Sequence, residues 1–174
     1  MNQSITKNVV RVIVLAFIIT VIAGIWVVKN NEAVELTASA NPDFDLHVSE
    51  TLDIEHLKSY GLPMIIDFGA DDCPPCKEMA PALAELNEEL QGKAIIKFLD
   101  VWEDPKLSEG YPIRAIPTQF FFDAEGKAFE PKTFNEKPLR MVTSNETGEH
   151  LFTIHEGGLT KEQMMAILSE MGVE

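Results

Sequence analysis

Cys73 and Cys76 frame the run Cys73-Pro74-Pro75-Cys76 and are the only cysteines of the chain. Two intervening residues bring the second sulfur within bonding reach once it lies one turn into a helix, so the pair can cycle between dithiol and disulfide. Pro74 needs no N–H in the first turn of a helix, and Pro75 still falls within that turn. A cysteine at a helix start meets unpaired backbone N–H groups and the positive end of the dipole. That setting favours thiolate over thiol, lowers the pKa from about 8.5 and makes Cys73 the nucleophile. The two prolines also stiffen the loop and remove backbone donors near the sulfurs. A structural disulfide and half of a metal site are the competing readings. The metal reading is weak without a second cysteine pair or a nearby histidine. His47, His56, His150 and His155 show no ligand spacing and read as surface or structural residues. No metal and no organic cofactor are expected.

A second candidate is Asp67, six residues before Cys73 and set among Met64, Ile65, Ile66 and Phe68. An acid in such company either faces out or is buried for a reason. Burial would raise its pKa by desolvation and let it exchange a proton with Cys76 near neutral pH. The bland alternative is a solvated strand residue.

Alternating strands and helices must position these groups. Residues 63–68 and 94–101 are short apolar runs of strand length, and residues 118–122 (TQFFF) form a third, closed by the turn residues 123–126. The three phenylalanines there read as sheet core. Between the first two strands, residues 74–90 carry Met79, Leu83, Leu86 and Leu90 on one helical stripe, and Gly92 follows the helix. Residues 51–60 form a shorter predicted helix ending at Gly61, and residues 44–48 alternate like an edge strand. A short helical or irregular connection spans 104–109, a strand covers 151–154, and a terminal helix runs over 160–171 behind the capping box Thr160-Lys161-Glu162-Gln163. The pattern implies an α/β fold with a sheet covered by helices.

Charge narrows the function classes. Lys7, Arg11 and Lys29 are the only charges in the first 31 residues, so residues 32–174 hold 11 basic against 28 acidic side chains. So acidic a surface repels phosphate backbones, which excludes nucleic acid as a partner. The N-terminus sets the address. Residues 12–28 are 17 uncharged residues, and with Val9 and Val10 they reach the ~20 needed to span a bilayer. Arg11 snorkels at one end and Trp26 suits the interface at the other. Lys7 and Arg11 ahead of the run leave a cytoplasmic tail at 1–8, a transmembrane anchor at 9–28 and the rest extracytoplasmic. Ala38-Ser39-Ala40 is a possible signal-peptidase site. It lies ten residues past the apolar run, so an uncleaved anchor is the expectation. Residues 29–42 are polar, small and aperiodic, a linker ahead of a folded domain at 43–174.

The stretch Ile65 to Lys77, carrying Asp67 and the two cysteines, resembles the strand–motif–helix segment of the thioredoxin family. Tyr111 to Thr118 resembles its cis-proline loop, and His155-Glu156-Gly157-Gly158-Leu159 the run into its last helix. The resemblance implies a central mixed sheet flanked by helices, here preceded by the transmembrane helix. It implies a Cys73–Cys76 disulfide in the oxidised form and a substrate groove at Ile116, Pro117, Pro74 and Pro75. It assigns the proton-exchanging role to Asp67, and it aligns Lys97 with the lysine beside that carboxylate. The activity implied is thiol–disulfide exchange with disulfide-containing client proteins. Family members of this layout are reduced by a membrane-embedded thiol-electron transporter, and some serve cytochrome c maturation.

Departures from the family pattern are also visible. Asp72 stands where the family has tryptophan, and Gly69 replaces an aromatic. Asp71 and Asp72 oppose thiolate formation at Cys73, which argues for a reductase over a strongly oxidising enzyme and would select a basic partner. A disulfide-donating oxidase and a redox-inert peptide-binding adaptor are the alternatives; the intact cysteine pair argues against the second. Residues 127–150 exceed the family's simple hairpin. Leu139 to Thr143 and His150 to Ile154 could pair as an added hairpin, but a tolerated surface insertion is the reading preferred.

Overall fold

The computed structural model describes residues 41–48 and 51–174. The tail at 1–8, the anchor at 9–28 and the linker up to residue 40 lie outside the described residues. Among the described residues no helix is long and apolar enough to cross a membrane.

Among the described residues, five strands form one sheet in the order β2-β1-β3-β5-β4. They are β1 Met64–Gly69, β2 Ile95–Asp100, β3 Thr118–Phe122, β4 Arg140–Thr143 and β5 His150–Glu156. β1 and β2 run parallel, and every other pairing is antiparallel. β1 and β3 are buried at every position, as near-continuous apolar strands must be when both sheet faces are covered. On one face, Ile65, Ile96, Phe98 and Phe121 pack under α2 (Pro74–Glu89) and α3 (Lys161–Glu170), meeting Met79, Leu83, Leu86, Met164 and Ile167. On the other, Met64, Ile66, Phe68, Ile95, Leu99 and Phe120 meet Leu57 of α1 (Ile54–Lys58) and Leu107. The Phe120-Phe121-Phe122 run is core on both faces, as read from sequence.

Local signals behave as expected at the helix ends. Thr160 caps α3 with a reciprocal capping box to Gln163. Asp53 caps α1 by accepting from the His56 N–H at 3.0 Å, which shortens that helix from the predicted 51–60. Pro81 sits inside α2 without ending it. Residues 44–48 do not form the predicted edge strand. Pro42–Phe44 is a 3-10 turn capped by Asn41, and only a single bridge, His47 to Phe98, touches the sheet beyond it.

The 127–150 segment forms the added hairpin rather than a plain surface loop. It supplies β4, which pairs with β5 as an outer strand, and a turn at 144–149 closed by Ser144 and Gly148. Phe129 is buried in the core under α3. The Glu170 carboxylate accepts the N–H groups of Lys132, Thr133 and Phe134, tying the segment to the end of α3. Apolar side chains at Phe129, Phe134 and Leu139 carry that docking, and nothing in their irregular spacing marks them as core in advance.

Candidate active site

Strand β1 ends and α2 begins at the cysteine pair. Cys73 is the N-cap of α2 in extended conformation, with Pro74 and Pro75 following in the first turn. Because neither proline has an N–H, Cys76 carries the first unpaired backbone donor of the helix. Cys73 and Cys76 form a disulfide with Cα atoms 5.2 Å apart. Both residues are 3% exposed, so accessibility does not tell the two sulfurs apart; position on the helix does. Ala70 and the half-buried Ile116 pack against them. Pro74 and Pro75 themselves are exposed, on the rim of the site.

The loop before β3 faces the sulfurs. Ile116–Pro117 is a cis peptide, and the Ile116 carbonyl oxygen lies 3.9 Å from Cys73 Sγ. The Pro117 carbonyl accepts the Gly157 N–H at 2.8 Å, joining this loop to the end of β5. Gly157 takes φ +112° there, a conformation open to glycine and strained for other residues. On the flank, Arg114 grips Glu156 through two hydrogen bonds of 3.0 and 2.9 Å, and Arg140 adds a third. The Arg114 bonds foremost hold the Glu156 carboxyl below the usual range. On the opposite flank the Asp100 carboxylate accepts from Asp71, Trp102 and Glu103 N–H groups. Burial works against its ionisation, yet these three bonds hold its pKa low, fixing the loop that leads into Cys73. Trp102, 60% exposed, stands on the turn that follows β2.

Asp67 is fully buried. Desolvation pushes its carboxyl up to about 7, against a hydrogen bond from Gln119 that favours the charge. Oδ1 accepts from Gln119 Nε2 at 2.8 Å, while Oδ2 has no hydrogen-bond partner among the described residues. Gly69 explains how Asp67 and Cys76 see one another. A Cβ there would stand 3.2 Å from Asp67 Oδ2, 3.4 Å from Cys76 Sγ and 2.7 Å from Phe98 Cε2. The missing side chain leaves carboxyl and sulfur bordering one small space.

Lys97 does not neighbour Asp67. The register pairs Asp67 with Phe98, and Lys97 with Ile66. Since successive strand residues face opposite sides, Lys97 points away from the site. Its Nζ donates to the Asp45 carbonyl; burial lowers its pKa, and Asp45 and Asp43 oppose that shift. The lysine expected beside the carboxylate is thus replaced by an aromatic ring, one residue along the strand. Two residues that matter here carried no signal in the sequence, Phe98 and Gln119, because their roles depend on register alone.

The chain also matches known proteins. A family model described as Thioredoxin matches residues 53–141. The chain belongs to the thioredoxin family. It is similar to the thioredoxin of Rickettsia conorii, 41% identical over 61 residues that make up 35% of this chain and 58% of that protein. It is also similar to the M-type chloroplastic thioredoxin of Spinacia oleracea, 43% identical over 61 residues, 35% of this chain and 34% of that one. The chain therefore spans little more than half the length of the rickettsial relative it matches. Among solved structures, chloroplastic thioredoxin z is 28% identical, with a TM-score of 0.46 and coverage of 70% of this chain and 92% of that one. The thioredoxin fold, a mixed sheet flanked by helices, is the one its sequence implied.

The packing around Gly69 gives a first testable outcome. Gly69→Ala should destabilise the chain by about 1–3 kcal/mol, the usual cost of forcing a methyl into a filled core. Phe98→Leu in the same chain should return part of that loss, because it withdraws the ring atom nearest the new methyl. Denaturant unfolding of the single and double variants measures the coupling; strictly additive losses would show that Phe98 does not fill the Gly69 space.

Proposed function

We propose that this thioredoxin-family chain is a thiol–disulfide oxidoreductase that reduces disulfides of extracytoplasmic client proteins from a membrane anchor. The observation that carries the reading is a Cys73–Cys76 pair at a helix start, facing the cis Ile116–Pro117 peptide, with the buried Asp67 on the space behind Cys76. Cys73 thiolate attacks a client disulfide, forming a Cys73–client bond and releasing one client thiolate. Cys76 then gives its proton to Asp67 and attacks Cys73 Sγ, breaking the Cys73–client bond. The client leaves with both electrons, and Cys73 and Cys76 become the disulfide. Ile116, Pro117, Pro74 and Pro75 form the edge along which the client segment lies.

Anchoring rests on the uncharged run at 12–28 and on Lys7 and Arg11 ahead of it. A reductase outside the cytoplasm needs an electron supply, and tethering raises its effective concentration towards a membrane-embedded thiol-electron donor. Cytochrome c maturation is one process that such a reductase serves. Acid-quenched alkylation of intact cells tests the direction of flow. The Cys73–Cys76 pair is expected mostly reduced at steady state. A pair that stays oxidised while membrane electron transfer is intact would turn the reading to an oxidase.

A further inference from the structure

We propose that Gln119 is a positioning residue for this chemistry: its amide occupies Oδ1 of Asp67 and so leaves Oδ2 as the oxygen that exchanges a proton with Cys76. The inference deepens the function proposed above and rests on it. Phe98, Asp67, Gln119 and His155 stand opposite one another across β2, β1, β3 and β5, on the face beneath α2. Gln119, like Asp67, is fully buried. Its Nε2 donates to Asp67 Oδ1 at 2.8 Å and lies 3.6 Å from Met79 Sδ. The same sulfur receives the Leu159 N–H at 3.4 Å. A thioether accepts and never donates, so this corner calls for the amide NH2 group. A reversed amide would set its oxygen against both a carboxylate oxygen and a sulfur lone pair.

The two carboxyl oxygens are thereby made unequal. Oδ1 is committed to Gln119; Oδ2 has no hydrogen-bond partner among the described residues and borders the space at Gly69 with Cys76 Sγ. In the acid form the proton belongs on Oδ2, where it faces the sulfur that supplies it. When the Cys76 S–H bond breaks, its proton passes to Oδ2 and its electron pair forms the bond to Cys73 Sγ. The Cys73–client bond breaks in the same displacement, and the client sulfur departs with the electron pair of the broken bond.

The surroundings leave this task to Gln119. From β2, the apolar Phe98 faces Asp67, while Lys97 lies on the opposite face of the sheet. From β5, His155 stands beyond Gln119 with Nδ1 on the Pro138 carbonyl at 2.9 Å. From α2 come Cys76 and Met79, flanked by the exposed Lys77 and Glu78; the run before α3 adds only the Leu159 backbone.

The rate of mixed-disulfide resolution as a function of pH tests the proposal on the full chain and on Gln119→Met, which keeps bulk and length but has no N–H. The midpoint of the variant should rise by about one pH unit, because the carboxylate loses its one charge-assisted bond. The first attack by Cys73 on a model disulfide should keep its rate. An unmoved midpoint in a folded Gln119→Met overturns the role of Gln119 and leaves the proposed function standing. If Asp67→Asn leaves the profile of the full chain unaltered, Asp67 is not the base, and the role of Gln119 falls with it. A second measurement needs no variant. In the reduced chain, the Gln119 side-chain amide signals should titrate with the Asp67 carboxyl carbon; signals that stay fixed, or follow the His155 ring, overturn the proposal.

Discussion

Cys76→Ala should halt exchange halfway, leaving each chain joined to one client through Cys73, whereas Cys73→Ala should capture none. The asymmetry follows from the helix start. Cys73 is the N-cap residue, and its sulfur lies beside the Ile116 carbonyl on the client edge. Cys76 sits one turn into α2 with its sulfur turned to the Gly69 space and Asp67. The helix dipole and the Cys76 N–H favour a Cys73 thiolate, and Pro74 and Pro75 add no donors. The Cys73 thiol should still alkylate at lower pH than Cys76, whose ionisation must be balanced by a proton on a buried carboxyl. Non-reducing electrophoresis with mass spectrometry of the trapped species reads both variants. Equal trapping by the two would remove the assignment of attacking and resolving thiols.

Asp67→Asn should stabilise the chain at pH 8 by on the order of 4 kcal/mol and leave it nearly unchanged at pH 4. The folded carboxyl titrates at about 7 because burial penalises its charge, while the unfolded one titrates at about 3.9. A raised folded pKa means that the unfolded chain gives up the proton first. Stability is therefore full below about pH 4, declines as the pH climbs towards 7, and levels off above it. Asparagine carries no charge to desolvate and can still accept from Gln119. The same substitution should slow resolution of the mixed disulfide at neutral pH, since no group remains at the Gly69 space to take the Cys76 proton. Denaturant midpoints from pH 4 to 9 check the first effect, and single-turnover release of a client thiol checks the second. Equal midpoints for both chains at pH 8 would mean that Asp67 is not carried as a buried charge, and its place in the mechanism would go with it.

Stability and function thus pull against each other at one residue. A neutral side chain would suit the core better at every pH above 4, yet only an ionisable one can move a proton there. Gly69 belongs to the same arrangement, because any side chain would fill the space across which that proton travels.

Much of this was legible along the chain. Cys73-Pro74-Pro75-Cys76 announces redox chemistry through residue type and spacing; the apolar runs at 63–68, 94–101 and 118–122 and the stripe of Met79, Leu83 and Leu86 report buried strands and a packed helix. Such signals are local: thiol spacing, proline in a first turn, a capping box and apolar periodicity act over a few residues, whatever lies elsewhere. What stands opposite Asp67 is not local. Strand side chains alternate with period two, so a shift of one residue between β1 and β2 exchanges the two faces. That shift turns Lys97 towards Asp45 and brings Phe98 to the carboxylate. Gln119 reaches Asp67 across 52 positions of sequence, and Phe129 joins the core from an irregular segment. Residue types and spacing therefore determined the chemistry and the elements that hold it. Tertiary structure alone decided which oxygen, ring and amide surround the buried carboxyl, because register and long-range packing are properties of two segments at once and are written in neither.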